Sequence, residues 1–466
     1  FDLMYAVSAW AFDNASGLHT ITASGRVYRN AGADAVSELT YTFATAVQYL
    51  REMEARGATL EDAASQLRIE LAVGNQFFME IAKLRAARLL WSKLASAAGN
   101  QDLPTPPIHA FSDNYGRTVL DPHVNMLRAT NESLAAVVGQ ADYISIASFD
   151  ALWAEPDEFS RRTARNTQLV LKEECDLLAT IDPAGGSWYI EWLTDQVARS
   201  AWELFQSIEE SGGMSSAILE GSVQVRTKSR AAERTKRMER RRDVLVGTNS
   251  YANPDDRVPE RKFAPESNPA PTTAPCNMSF ADAAKVAADG ATLHDILALL
   301  SDGKAIAATP LEPSRAAAPF ESFRAACQRV ADRDGQAPAL LQANLGPSRF
   351  YRGRADWTSS FFRVGGFRVI DDIDFDSDGA VLEKASEVQP VAIVLTGTDD
   401  TYAERVTDLA KSLSVKLPNA TLLVAGTATG EQEIAWRDAG IDGFVNIRSN
   451  IFETLQDLLR RHGVLQ

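Results

Sequence analysis

Three short stretches near the carboxyl-terminal end carry residue types and spacing that could serve chemistry. Gly346-Pro347-Ser348-Arg349-Phe350-Tyr351-Arg352-Gly353 follows an apolar run and is bounded by glycines, which is where a cofactor would approach a parallel sheet. It is basic and aromatic, with no His, Asp or Cys. Gly397-Thr398-Asp399-Asp400 offers two carboxylates that could ligate a metal, but an acidic pair at a helix start serves more simply as a cap. Ala425-Gly426-Thr427-Ala428-Thr429-Gly430 could cradle a phosphate on backbone amides, although turn geometry alone explains its glycines. Further upstream, Arg161, Arg165 and Gln168 share a helical face at i, i+4, i+7. That face could hold an anionic acyl or phosphate group, or an acidic partner, and reads more simply as a solvated helix face. His19, His109 and His123 are isolated in the sequence and give no Ser/His/Asp logic.

The elements that must position these residues are α/β in kind. The stretch His19–Gly25 reads as a strand, 36–54 as a core-facing helix with Leu39, Phe43, Ala46, Val47, Leu50 and Met53 at helical spacing, and 76–96 as a second long helix. Ile108–Phe111 and Tyr143–Ala147 are further strands, each followed by helical pattern, which implies a parallel sheet. Residues 226–243 form a charged helix with nine basic and three acidic residues and no aromatic to stack a base. A Pro-, Ala- and Ser-rich linker follows over 252–278. From 279 to 466 five apolar runs alternate with helices: Leu340–Leu345, Phe367–Ile370, Val391–Leu395, Thr421–Ala425 and Phe444–Ile447, with a last helix over 451–461. Such a series predicts a flavodoxin-like doubly wound sheet.

Composition bounds the partners. Against 47 basic residues stand 62 acidic ones, a net charge of -15, so the overall field repels phosphate and argues against nucleic acid and anionic membranes. No apolar run reaches spanning length. Three scattered cysteines, Cys175, Cys276 and Cys327, suit a reducing cytoplasm better than a disulfide framework, and neither they nor the five histidines have metal-ligand spacing.

Whole segments resemble the methylmalonyl-CoA mutase family: Phe77-Phe78-Met79-Glu80-Ile81-Ala82-Lys83-Leu84-Arg85-Ala86-Ala87-Arg88, Ala164 through Glu174 with Arg165-Asn166-Thr167-Gln168, Asp182-Pro183-Ala184-Gly185-Gly186-Ser187-Trp188-Tyr189-Ile190-Glu191, and Val246-Gly247-Thr248-Asn249-Ser250-Tyr251. The resemblance implies a (β/α)8 TIM-type barrel that takes a CoA ester, here residues 1–251, and a flavodoxin-like cobalamin-binding-type domain over 279–466. Only three or four strands are countable before residue 250, so the barrel is expected to be N-terminally truncated, consistent with Phe1 in place of a methionine.

The resemblance also implies what is missing. The family's first loop reads Asp-x-His-x-x-Gly, and the matching positions here are Ser348, Phe350 and Gly353. Phenylalanine cannot ligate cobalt, and serine leaves no carboxylate to orient a ligand. The family's Ser-x-Leu element is absent near Leu395–Gly397, and its Gly-Gly is reduced to Ala425-Gly426. In the barrel half, Arg26 and Val27 stand where the family has Tyr-His, and Ser145 stands for a later histidine. Losses in both halves match the small, non-catalytic subunit of the heterodimeric members, which binds no cofactor itself, has no catalytic residue or metal, and pairs with a large catalytic subunit holding adenosylcobalamin. Two alternatives stay open: an active cobalamin-dependent acyl-CoA mutase with unusual ligation, and a chaperone-like or regulatory binding module.

Overall fold

The computed structural model describes residues 1–15, 17–177, 179–260, 262, 278–301 and 307–465. Most of the expected linker, with Cys276, lies outside the described residues. The chain divides into two compact units: residues 1–117, 125–232 and 261–315 form the first, and 118–124, 233–260 and 316–466 form the second.

In the first unit four parallel strands pair in sequence order: β1 (Ile21–Ser24), β2 (Leu67–Val73), β3 (Ile108–Ser112) and β4 (Tyr143–Ser145). As the count of three or four strands anticipates, no closed barrel forms: among the described residues this sheet is open, with β1 and β4 as its edges. Four strands cannot close, because closure needs a full ring of tilted, staggered strands. Expected helices 36–54 and 76–96 are found at Ala35–Glu54 and Phe77–Ala97. Side chains alternate across the sheet with period two. Ile21, Ala23, Leu67, Ile69, Ile108 and Ala110 enter the core against the helices Ala35–Glu54, Phe77–Ala97 and Trp188–Glu210. Thr22, Ser24, Arg68, Glu70, His109, Phe111 and Ser145 take the opposite face and are only partly buried.

A buried charge network ties these helices to the sheet. Lys83 and Glu38 are fully buried; Lys83 Nζ lies 2.7 Å from Glu38 Oε2 and 2.6 Å from Glu80 Oε2, and donates to the Ala72 carbonyl. The Ala72 amide donates to the second Glu38 oxygen at 2.6 Å. Arg29 continues the chain of charges to Glu80 (3.0 Å) and Asp113 (2.9 Å). Burial pushes the Glu38 carboxyl up, against the pull of Lys83 and Arg29.

Glu132, also fully buried, pairs with Arg117. Burial pushes its carboxyl up to about 8 despite that partner. A carboxyl raised above its unfolded value binds its proton more tightly when folded, so stability is fully present below about pH 4.3 and is lost as pH rises through the folded value. Glu132→Gln is therefore expected to flatten the fall in urea midpoint between pH 5.5 and 8.5. A fall as steep as that of the unsubstituted chain would show that Glu132 does not titrate there.

The second unit is built on the strand order β10-β9-β8-β5-β6, all parallel: β5 (Ala339–Leu345), β6 (Arg368–Ile370), β8 (Ala392–Thr396), β9 (Thr421–Ala425) and β10 (Gly443–Val445), with a short β7 (Asp374–Phe375) beside the end of β5. Both faces of the central strands are covered, as parallel sheets require. Leu340, Val394, Leu423 and Val445 pack one way, with the helices Ser348–Arg363 and Ile451–Arg461. Leu341, Ala343, Ile393, Leu395, Leu422 and Val424 pack the other way, with the helix Asp399–Lys416. Connections reverse direction between β5 and β8, and such a switch point opens a crevice at the carboxyl ends of the strands.

Candidate functional site

Ser348, Phe350 and Gly353 sit at those carboxyl ends, but not on an extended loop. The helix Ser348–Arg363 begins at Ser348, straight after Pro347, so all three positions are helical. The Phe350 ring is 59% exposed, with the Arg349 guanidinium 4.4 Å from its centroid. Gly353 faces open space: a Cβ there would meet nothing within 4 Å. Tyr351, one residue beyond Phe350, is buried and hydrogen-bonded to Asp374, which fixes this turn as helix.

Beside it lies a cleft of about 400 Å³ lined by Gly353, Arg354, Trp357, Asp399, Gly426 and Asn446. One side chain dominates its electrostatics. Arg354 Nη1 donates to the Gly397 carbonyl at 2.8 Å, Nη2 pairs with Asp399 at 3.0 Å, and the guanidinium lies 5.3 Å from the Tyr402 ring centroid. The buried Tyr402 hydroxyl accepts from the Gly397 amide (2.9 Å) and donates to the Ala425 carbonyl (2.7 Å), bridging the ends of β8 and β9. At Gly426, where φ is +153°, a Cβ would meet the Tyr402 ring at 3.4 Å and Arg354 at 3.7 Å. Arg354 thus occupies the wall of the cleft with both terminal nitrogens paired.

The other loops resolve into helix starts. Thr398, not the acidic pair, is the N-cap of Asp399–Lys416, accepting from the Thr401 amide. Asp399 and Asp400 occupy the first turn, where carboxylates complement the helix dipole. Thr429 closes a capping box with Gln432 before Gly430–Asp438, so the turn reading of 425–430 holds. Among the described residues no cluster of three or more His, Cys, Asp or Glu is arranged to hold a metal ion.

In the first unit, Arg26 and Val27 open a short helix (Arg26–Asn30) immediately after β1 and Gly25. Val27 is 58% exposed, and Arg26 lies 4.7 Å from the Phe111 centroid. Ser145 does not stand alone. Its Oγ is 2.8 Å from His109 Nε2 across the β3–β4 pair, so the histidine read as isolated has a hydroxyl partner. His109 Nδ1 is buried without a hydrogen bond, so no carboxylate orients the ring. Burial first, then Arg68 and Arg26, hold the imidazole below its ordinary value, against Glu70. The rest of this face pairs internally: Ser24 with Glu70, and Arg68 with Thr22 at 3.2 Å.

Arg161, Arg165 and Gln168 lie on the helix Glu158–Glu173 as expected, and Gln168 lines a cleft of about 640 Å³ with Arg88, Gln140, Asp142 and Lys172. Sequence reasoning missed the Arg354–Tyr402 pair. Its signal was present: an arginine one residue after Gly353 and a tyrosine two residues after Asp400, each on the first turns of helices that flank the same crevice.

Residues 1–309 match the family model described as methylmalonyl-CoA mutase. Among characterised relatives, the chain is 31% identical over 442 residues to the methylmalonyl-CoA mutase small subunit of Porphyromonas gingivalis, covering 93% of this chain and 64% of that one. It is 34% identical over 398 residues to the small subunit of Streptomyces virginiae, covering 85% and 58%. A methylmalonyl-CoA mutase of Cereibacter sphaeroides is 39% identical over 238 residues, covering 50% of this chain and 33% of that protein. The chain therefore spans about 0.6 of the length of the small subunits it matches.

Proposed function

The chain belongs to the methylmalonyl-CoA mutase family, and from that membership we propose that it is the small, non-catalytic subunit of an adenosylcobalamin-dependent mutase interconverting methylmalonyl-CoA and succinyl-CoA. One observation carries the reading. Similarity to small subunits runs through 93% and 85% of the chain, whereas similarity to the Cereibacter mutase stops at half of it. The first unit derives from a (β/α) barrel, and the second is flavodoxin-like, which its 2-1-3-4-5 strand order supports.

Adenosylcobalamin supplies radical chemistry when bound, and we assign it to a large partner subunit. The residues of this chain do not fit it. At the ligand position stands an exposed Phe350, the orienting carboxylate is replaced by Ser348, and Arg354 takes the wall of the crevice through bonds to Gly397 and Asp399. The substrate side reads the same way: Val27 and Ser145 replace the expected imidazoles, and Ser145 and Thr22 are engaged by His109 and Arg68 of the same sheet face. Among the described residues no helix is long and apolar enough to cross a membrane, and Cys175 and Cys327 are free thiols, which supports a reducing cytoplasm.

The test is co-expression with a large mutase subunit. A one-to-one complex that survives size exclusion is expected. A substoichiometric or exchanging association would replace the structural role with a regulatory or chaperone-like one.

A further inference from the structure

We propose that the aromatic row at the start of the helix Trp188–Glu210 is the surface on which the large mutase subunit docks, an inference that rests on the subunit reading above. The helix already has its core stripe: Ile190, Leu193, Thr194, Val197 and Ala201 are buried. A helix with one such stripe needs no second one. Yet its first turns carry Trp188, Tyr189 and Trp192 facing outward, 92%, 53% and 57% exposed. Phe78, on the first turn of Phe77–Ala97, joins them at 49% exposure. Three of the rings are in contact: Phe78 meets Tyr189 edge-on at 5.4 Å, and Tyr189 stacks with Trp192 at 6.3 Å and 25°, with Trp188 next to Tyr189 in the chain.

The row is held in place before anything binds. Arg85 pairs with Asp182 and with Glu191, the latter at 2.8 Å, clamping the turn that precedes the helix. Glu191 also accepts from the Gly186 amide at 3.2 Å. Inside the turn Gly185 donates to the Asp182 carbonyl, and a Cβ at Gly185 would meet Asp182 Oδ2 at 2.8 Å. A surface ordered in advance loses less freedom on binding.

Size and charge choose the occupant. At 150–250 Å² per aromatic side chain, the exposed parts of the four side chains sum to roughly 400–600 Å². That lies within the range of the largest apolar patch of a typical monomer and is about half or more of the ~800 Å² per partner of a stable interface. A second copy would bring a net charge of -15 against -15, and an anionic membrane would meet the same repulsion with Asp182, Glu191 and Asp195 at the rim. A non-identical protein chain with its own apolar patch fits, and Trp and Tyr are the residues in which interface energy concentrates.

The experiment measures the affinity of the full chain for a large mutase subunit with Trp188→Ser and Trp192→Ser, singly and together. Trp188 contributes so little to the fold that its removal leaves thermal unfolding unchanged, and it carries the test if Trp192→Ser destabilises. The double variant is expected to bind at least about 10-fold more weakly, while Val415→Ser, at an exposed apolar position of the second unit, binds normally. Wild-type affinity in both tryptophan variants overturns the docking surface and leaves the subunit reading standing. No binding by the wild-type chain overturns both. Self-association of the wild-type chain that Trp188→Ser abolishes, or wild-type binding to anionic phosphatidylserine vesicles, would assign the row to another occupant and overturn the proposal.

Discussion

Replacing Lys83 by methionine is expected to lower unfolding stability by about 3–5 kcal/mol, the usual cost of stranding a buried charge. The ammonium is fully buried and touches three acceptors at once: Glu38, Glu80 and the Ala72 carbonyl. Methionine is close in length and fills the space, so the loss reports charge rather than volume. Glu38 would keep only the Ala72 amide on one oxygen, and Glu80 only Arg29. Adding Glu38→Gln to Lys83→Met should recover part of the loss, because a neutral amide is less costly to bury than an unpaired carboxylate. Urea midpoints at pH 7 decide it. A loss below about 1 kcal/mol would mean that water or neighbouring groups compensate the site.

The substitutions Ser348→Asp and Phe350→His, made together, are expected to produce neither cobalamin binding nor mutase turnover. The pair restores the chemistry of a cobalt ligand and its orienting carboxylate without restoring the backbone that would present them. Both positions lie in the first turn of Ser348–Arg363, where the Phe350 amide already bonds to Pro347 and Tyr351 is tied to Asp374. Arg354 still occupies the crevice wall. Turnover fails for a second reason. Val27 and Ser145 leave the two positions where the family has imidazoles without them, and removing one preorganised donor typically costs about 2.7–4 kcal/mol of barrier. Visible absorbance of added adenosylcobalamin should stay that of the free cofactor, and methylmalonyl-CoA should persist. A stoichiometric spectral change with turnover would show that helix and crevice rearrange readily and that the substrate side is competent.

Much of the second unit was legible because its strands are buried on both faces and read as unbroken apolar runs. Leu340–Leu345, Val391–Leu395 and Thr421–Ala425 fall within a residue of β5, β8 and β9. β2 was missed although Leu67-Arg68-Ile69-Glu70-Leu71 alternates with period two. Its charged residues belong to a partly open sheet face, and they hid a strand that the apolar runs elsewhere announced. The two-residue β7 was too short to leave a pattern. The positions Ser348, Phe350 and Gly353 were located by the resemblance to the family's Asp-x-His-x-x-Gly loop, but their helical backbone could not be: a glycine-bounded loop and a helix start after Pro347 look alike in sequence. The buried network was half visible, since Glu80 and Lys83 fall in one helical segment at i, i+3, while Glu38 and Arg29 reach it only through tertiary packing. His109 and Ser145 are 36 residues apart and meet only because β3 and β4 are neighbours.

The most direct test of a cofactor-free partner subunit is the cobalt content of the complex purified with a large mutase subunit and saturated with adenosylcobalamin. Metal analysis against protein concentration should give one cobalt per pair of chains. Two per pair would contradict the account, because this chain would then hold a cobalamin of its own.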